Sequence, residues 1–211
     1  MSETETETFS SPRVVRKHRM RRAGILKAAA SVFAEMGYHR ASLEEIADRI
    51  DLTRASLYHY FPSKDALLSA CLEYGAEEAN NRLAEVVKST VDQTATERLR
   101  SLIITQLTVI TVDAPELSRL FLSPMDWPDM FRAQVRNLRD RHDSFFRLVI
   151  EEGVHSGEFT CIDSNVARHC LHGGMNYVPV WLRHGKPGHE SSIRTVADTL
   201  LEMFVNPSAA R

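Results

Sequence analysis

Residues 42–64, SLEEIADRIDLTRASLYHYFPSK, decide the fold of the N-terminal part of the chain. Ser42 precedes Glu45 by three positions, a capping-box pattern in which the hydroxyl accepts from the Glu45 N–H and the carboxylate reaches back. A single apolar stripe then repeats at helical spacing, formed by Leu43, Ile46, Ala47 and Ile50. The pattern predicts a short helix that ends near Ile50 or Asp51.

A second short helix follows directly. Thr53 is its natural N-cap, and Pro62 cannot continue it. We expect its buried side to consist of Ala55, Leu57, Tyr58 and Phe61. We expect its outward side to carry Arg54, Ser56, His59 and Tyr60. Because a helix this short is unstable alone in water, it must pack on the first helix and on the helix before that.

The preceding helix supplies an apolar stripe for this packing, made of Ile25, Leu26, Ala29, Val32, Phe33 and Met36. Gly37 follows at the usual stop position. The three-helix segment is basic: residues 12–64 hold eleven Lys or Arg against five Asp or Glu, a net charge of +6. Residues 1–11 carry −3, and residues 65–211 carry −5, from 15 basic and 20 acidic side chains. A basic head with two short helices predicts a reader of the DNA major groove.

The run LEEIADRIDLTRASLYHYFPSKDAL, residues 43–67, resembles the DNA-binding domain of TetR-type (TetR/AcrR) transcriptional regulators. The shared features are a short recognition helix, a Tyr-x-x-Phe element and a Lys that opens the next helix. The close resemblance covers residues 19–70 and departs at Asp51, where the family usually has Gly. By that resemblance, base edges lie under Arg54, Ala55 and Ser56. The resemblance also implies phosphate contacts by Ser42, Tyr58, Tyr60 and Lys64. The candidate DNA-binding residues further include Thr53 and His59.

The chemistry of these positions agrees with such a role. Arg54 can donate two hydrogen bonds to guanine, and Ser56 can pair with several base edges. Lys64 opens a helix, where backbone N–H groups and a cation together favour a phosphate. In the alternative interpretation, Tyr58 and Phe61 are core residues and Lys64 is a solvated charge. We expect Phe61 to be core.

The N-terminal extension has two parts. Residues 1–12 are rich in Ser, Thr and Glu and are predicted to be a disordered leader. Neither a signal peptide nor a membrane-spanning helix is predicted. Residues 13–22, RVVRKHRMRR, hold six Lys or Arg and one His. This segment is either an arm that enters the minor groove or follows phosphates, or a solvated, flexible leader.

The rest of the chain is helical in pattern, so the predicted fold is all-α. Residues 13–64 form the basic arm and helix-turn-helix domain, and residues 65–211 form a larger domain for ligand binding and dimerisation. Its helices are predicted over residues 63–91, 94–111, 115–122, 128–153, 163–184 and 190–205. The resemblance implies that the last two pair with their copies in a homodimer. Gly173 and Gly174 would allow that close approach, although they also fit a kink or a ligand contact.

A regulator controlled by a small molecule needs a largely apolar cavity with a few polar groups. The candidate ligand-binding residues are Leu107, Phe121, Trp127, Met130, Phe131, Phe145, Met175, Asn176 and Trp181. Aromatic and Met side chains at helical spacing fill the core more often than they line a pocket, whereas Asn176 is a polar residue on a largely apolar helix. We expect a small apolar or amphipathic effector to release the protein from a palindromic operator by population shift, with the fourth helix as the lever.

Other classes of function have weaker support. Cys71, Cys161 and Cys170 have no paired close spacing, which fits a reducing cytoplasm. A metal or redox sensor could use His155, Cys161, His169, Cys170 and His172, but no Cys-x-x-Cys or His-x-x-x-His pair is present. We therefore expect neither metal nor cofactor. A DNA-binding architectural protein without a ligand stays a separate alternative.

No catalytic motif supports an enzyme. The sequence lacks a Gly-rich phosphate loop, a Gly-x-Ser-x-Gly elbow and a His-Glu-x-x-His helix. Asp140, His142 and Asp143 resemble an acid–base cluster, but they lie on an Arg-rich helix. We expect them to form a solvated ion-pair network.

Overall fold

The computed structural model of this protein describes residues 12–122, 128–182, 185 and 187–205. Within these residues there are nine α-helices, one π-helical turn and no strand, which confirms the all-α prediction. The α-helices are α1 Pro12–Arg40, α2 Leu43–Asp48, α3 Arg54–Tyr60, α4 Lys64–Ser89, α5 Ala95–Thr108, α6 Pro115–Leu122, α7 Asp129–Ser156, α8 Ser164–Trp181 and α9 His189–Leu201. The π-helical turn Val109–Asp113 continues directly from α5.

Side-chain caps start each short helix of the head, as predicted. Ser42 Oγ accepts from the Glu45 N–H at 3.1 Å, and Thr53 Oγ1 accepts from the Ser56 N–H at 3.1 Å. The Glu45 carboxylate does not complete a capping box, because it lies 3.7 Å from the Arg49 guanidinium instead. Helix α2 ends at Asp48, earlier than expected, and the turn that follows contains a left-handed residue (Asp51, φ 50°).

The buried side of α3 is narrower than predicted. Leu57 and Phe61 are buried, but Ala55 is exposed and 39% of Tyr58 is exposed. The helix has only seven residues and contacts the head through one face, which positions four apart share. Tyr60, expected on the outward side, is partly buried against the head core. The prediction was therefore wrong for Ala55, Tyr58 and Tyr60.

Helix α1 begins earlier than its apolar stripe, so the basic segment is helical. Residues 13–22 are all exposed along its first turns. Of the two predicted alternatives, the structure therefore does not support a flexible leader, because residues 13–22 form a basic helical extension of the head. The predicted stop at Gly37 is confirmed, since its φ of 76° interrupts the helical geometry. Residues 1–11 of the predicted leader lie outside the described residues.

Two hydrophobic cores divide the protein, and their border differs from the charge border at residue 64. The first core joins Ile25, Phe33 and Leu57 of the head to Leu67 of α4 and Leu117 of α6. The second core joins α4, α5, α7, α8 and α9. The head is therefore completed by residues beyond 64, and α4 belongs to both cores.

The ends of the body helices depend on caps and on glycine. Thr94 and Glu97 form a full capping box at α5, and Asp163 caps α8. Helix α7 continues past the predicted end at Gly153 and stops at Gly157, which is left-handed with φ 80°. Its extra turn packs on Phe159, whose ring occupies the space where Gly153 would carry a Cβ. Helix α8 ends at Trp181, three residues before the predicted end at residue 184, because the backbone of Leu182 is extended (φ −97°, ψ 103°). Residues 123–127 of the predicted loop lie outside the described residues.

The two glycines of α8 have different surroundings. A Cβ on Gly174 would lie 2.8 Å from Leu200 Cδ2, so Gly174 allows the close approach of α8 and α9 within one chain. Gly173 is exposed with open space in front of it. Of these two glycines, only Gly173 is therefore available for contact with a second molecule.

We predict that Gly153→Ala destabilises the protein, because the added methyl group overlaps the Phe159 ring in a packed core. The expected loss is about 1–3 kcal/mol in the free energy of unfolding, measured by denaturant titration. Gly24→Ala is the matched control, since Gly24 lies in α1 with no atom within 4 Å of the added Cβ. That change should stabilise the helix by about 0.5–1 kcal/mol. Equal unfolding midpoints for the two variants would contradict the packing of Phe159.

Candidate DNA-binding surface and ligand cavity

The first α3 residues form one exposed surface at the tip of the head. Thr53, Arg54, Ala55 and His59 are all exposed, and Ser56 is half-buried between them. Arg54 forms an ion pair with Glu44 of α2, in which 59% and 49% of the two side chains are exposed. It also donates a 3.3 Å hydrogen bond to the Tyr58 hydroxyl. Exposed ion pairs contribute little free energy, so Arg54 can exchange Glu44 for a base edge at small cost.

Three of the candidate DNA-binding residues also hold the head together. Ser42 caps α2, and Tyr60 stacks on His18 of α1 with ring centroids 5.0 Å apart. Lys64 donates to the carbonyl oxygens of Tyr38 at 2.9 Å and Ala41 at 3.2 Å. Their phosphate contacts stay predictions. The contact between His18 and Tyr60 was not predicted from the sequence. The helical spacing of the basic residues before His18 could have indicated that this segment is part of α1.

A cavity of about 790 Å³ lies where the two hydrophobic cores meet. Its apolar wall comes from α4, the π-helical turn and α6, and includes Gly75, Ala76, Ala79, Val109, Ile110 and Phe121. Val109 packs in the first core and Ile110 in the second. The volume falls within the range of pockets that hold drug-sized molecules. Because π-helical turns often occur at functional sites, this is the candidate ligand site.

The opposite wall is polar, and it comes mainly from α7 and α8. It includes Gln106, His142, Asp143, Arg147, Arg168 and His172. Arg168 forms an ion pair with Asp143, whose Oδ1 also lies 3.0 Å from His172 Nε2. His142 Nε2 lies 2.9 Å from Gln106 Oε1. The prediction of a solvated ion-pair network was therefore wrong for His142 and Asp143, because α8 packs over that face of α7.

Few of the candidate ligand-binding residues line this cavity. Phe121 and Asn176 do. The structure buries Leu107, Phe131 and Met175 in the hydrophobic cores and packs Phe145 against the second core. Met130 and Trp181 are 66% and 53% exposed, and Trp127 lies outside the described residues. Most of the apolar candidates are therefore core residues and not ligand contacts, because large side chains at helical spacing fill the space between helices.

Burial governs the protonation of two of the histidines that line the cavity, His142 and His172. Burial, with a smaller contribution from the nearby His172, lowers the pKa of His142 to about 4, while Asp143 opposes the shift. Burial also lowers the pKa of His172, against the opposing effect of Asp143. Both imidazoles are therefore neutral at neutral pH, and the positive charge of the cavity comes from arginine.

Other features of the described residues bear on the alternatives. Within them, no group of three or more His, Cys, Asp or Glu side chains is placed to hold a metal ion. Cys71 is buried, Cys161 is half-buried and Cys170 is exposed, and all three are free thiols. No described helix is long and apolar enough to cross a membrane.

The sequence matches two family models. Residues 25–71 match bacterial regulatory proteins of the tetR family, and residues 92–206, more than half of the chain, match the tetracyclin repressor-like C-terminal domain. The chain belongs to the TetR family. The predicted resemblance is thus confirmed, and this TetR-family protein is a DNA-binding transcriptional regulator.

Known TetR-family proteins share its fold over most of their length. The transcriptional repressor KstR2 of Rhodococcus jostii is 28% identical over 199 residues, which cover 90% of this chain and 92% of the relative. The ketosteroid regulator KstR2 of Mycobacterium tuberculosis has a TM-score of 0.75 at 22% identity, with 88% and 95% of the two chains covered. AibR in complex with isovaleryl coenzyme A and operator DNA has a TM-score of 0.71 at 23% identity, with 89% and 99% covered.

The low pKa of His142 predicts that this regulator loses stability in mild acid. The unfolded chain binds a proton near pH 6.5, whereas folded His142 does so only near pH 4. The free energy of unfolding is therefore unaffected by His142 well above pH 6.5. It falls by up to about 3 kcal/mol as the pH decreases from 6.5 toward 4. His142→Asn should reduce the loss of unfolding free energy between these pH values. The exposed His155→Gln is the control and should retain the wild-type loss; identical pH profiles for all three proteins would contradict the burial of His142.

Proposed function

We propose that this TetR-family protein is a homodimeric repressor that leaves a palindromic operator when a small amphipathic molecule enters the cavity. The observation that carries the proposal is the position of Phe121 and Leu138. Both side chains line the cavity, and both pack against the core that holds the DNA-binding head together. A molecule that displaces them acts directly on the packing of the head.

DNA recognition is assigned to α3 and to the basic start of α1. Arg54, Ala55 and Ser56 face base edges, with Arg54 as the main determinant of specificity. Phosphates are contacted by Thr53, Tyr58, His59 and the exposed cations of residues 13–22, together with Ser42, Tyr60 and Lys64 at the edge of the head. The net charge of +6 over residues 12–64 supports this assignment, because the charge draws the head to any duplex before α3 selects a sequence.

A second copy of the chain is proposed to cover α8. Its outer face carries large apolar side chains at Val166, Tyr177, Val180 and Trp181, which are 58%, 63%, 62% and 53% exposed. The exposed Gly173 lies within this stripe and permits close contact. Apolar groups in such a row favour burial against a partner. A dimer also places two α3 helices on successive major grooves, which gives the discrimination that one short helix lacks.

Control by ligand follows from competition between two conformations. If the ligand binds better to a conformation in which the two α3 helices no longer match the groove spacing, DNA affinity falls by the same coupling factor. Helices α4 and α6 connect the two sites, since both line the cavity and pack in the head core. The name of the Rhodococcus relative, a transcriptional repressor, supports repression over activation.

The decisive experiment is selection of bound sequences from a random duplex library by the purified protein at moderate salt. The proposal requires an enriched palindrome with half-sites about one helical turn apart. Uniform, salt-sensitive binding without enrichment would favour the architectural alternative.

We predict different effects on DNA binding for one arginine variant and one lysine variant. Arg54→Ala should weaken the selected operator by roughly 1–3 kcal/mol at one base pair of each half-site and relax the preference there. Lys17→Ala, in the exposed basic part of α1, should weaken all duplexes alike and reduce the salt dependence of binding. Competition assays with operator and scrambled duplexes separate the two. Equal losses on both duplexes for Arg54→Ala would remove its assigned role.

We predict that Tyr177→Arg shifts the protein toward a monomer, because it places a charge in the middle of the apolar stripe on α8. Sedimentation at micromolar concentration measures the change, and operator affinity should fall with it. Val91→Arg is the matched control, since Val91 is 67% exposed but lies beyond the end of α4, away from α8. A dimeric Tyr177→Arg protein would place the interface elsewhere.

A further inference from the structure

The two walls of the cavity differ in their predominant chemistry, although Leu138 of α7 and Ser118 of α6 also line it. On one side, Gly75, Ala76 and Ala79 present the small side chains of α4 next to Val109 and Ile110. On the other side, α7 and α8 present arginine, histidine and amide groups. A molecule that fills both halves must therefore be apolar at one end and polar at the other. This conclusion builds on the proposed ligand control and concerns the same cavity.

The charges on the polar wall decide the sign of that polar end. Asp143 already forms an ion pair with Arg168, which is only 8% exposed, and contacts His172. Arg147 lies one helical turn farther along α7 than Asp143 and also lines the cavity. Within the described part of the chain, no carboxylate pairs with Arg147. Arg147 is exposed to solvent as well as lining the cavity, so its guanidinium can bind a partner that enters from the cavity opening.

Two further polar residues of α8 line the same cavity. His169 directly follows Arg168 on α8 and lines the cavity, as does Asn176 two turns farther along. Asp140 is the carboxylate of the wall that remains without an ion pair among the described residues. It lies about 10 Å from Arg147 along α7, near the opposite end of the polar wall. The end around Arg147 and Arg168 is therefore positive.

We infer that the cavity binds an anionic amphiphile. Its apolar chain lies against Ala76, Ala79 and the π-helical turn, and its carboxylate or phosphate is bound by Arg147 with support from Arg168 and His169. This class is narrower than the small apolar or amphipathic effector expected from the sequence, because it specifies a negative charge. Guanidinium groups favour both anions because their N–H donors match two oxygens at once.

The test compares ligands with one tail and four head groups. Decanoate, decyl phosphate, decanol and decyltrimethylammonium are titrated below their micellar concentrations into the full-length protein, with binding measured by calorimetry. At least one of the two anions should bind about tenfold tighter than decanol, and the cation should bind most weakly. A preference between decanoate and decyl phosphate identifies the anion. Equal affinity for decanol and both anions, tighter binding of the cation, or no binding of either anion would overturn the inference.

Two variants locate the head group. Arg147→Gln should weaken the preferred anion about tenfold and leave decanol unchanged. Arg136→Gln is the matched control, because Arg136 is an exposed arginine of α7 that does not line the cavity. Unchanged anion affinity in Arg147→Gln would remove the assigned contact. Circular dichroism melting of both variants shows whether either change affects folding.

Release of the selected operator, measured in the same titrations, separates this inference from the proposed function. Charge-selective binding without loss of DNA affinity would support the anionic site and contradict ligand-controlled release. Release by decanol and by the anions alike would support ligand control and contradict the anionic site.

Discussion

The packing of α4 in two hydrophobic cores at once is the constraint on which the rest of the structure depends. Its first turns, with Leu67, Leu68 and Leu72, close the core of the DNA-binding head. Leu83, near its other end, belongs to the core of the body. A helix of 26 residues spans about 39 Å, which is long enough to reach both cores. The small residues between these two contacts line the cavity, so the ligand site lies along the connection between head and body.

The polar wall of the cavity explains why the site is specific as well as large. Buried ion pairs such as Arg168–Asp143 contribute little net stability, because desolvation offsets their attraction. They do fix the positions of the groups around them. With Asp143 paired to Arg168, and with His142 and His172 uncharged, the ligand selectivity that we propose depends on the arginines. A neutral oil-like molecule would leave these donors without partners.

The DNA-binding surface is held in place before DNA arrives. Caps at Ser42 and Thr53 set the start of the two short helices, and Lys64 ties α4 to the end of α1 through two backbone carbonyls. Arg54 alone among the base-reading candidates has an ion-pair partner within the described residues, and that pair is exposed. The head therefore needs little rearrangement to bind DNA, and in the proposed dimer the affinity depends on the spacing of the two heads.

The local pattern of the chain was enough to predict the helices, their caps, the stop at Gly37 and the TetR-type head, because each of these depends on residues within a few positions of one another. The same pattern misplaced Ala55 and Tyr58, since helical spacing shows which residues share a face but not how much of that face is covered. The cavity depended on tertiary structure alone. His142 meets Gln106 across 36 positions, and Asp143 meets His172 across 29. A polar residue on an Arg-rich helix looks solvated until a distant helix packs over it, and only that packing turned a surface charge pattern into the polar wall of a candidate binding site.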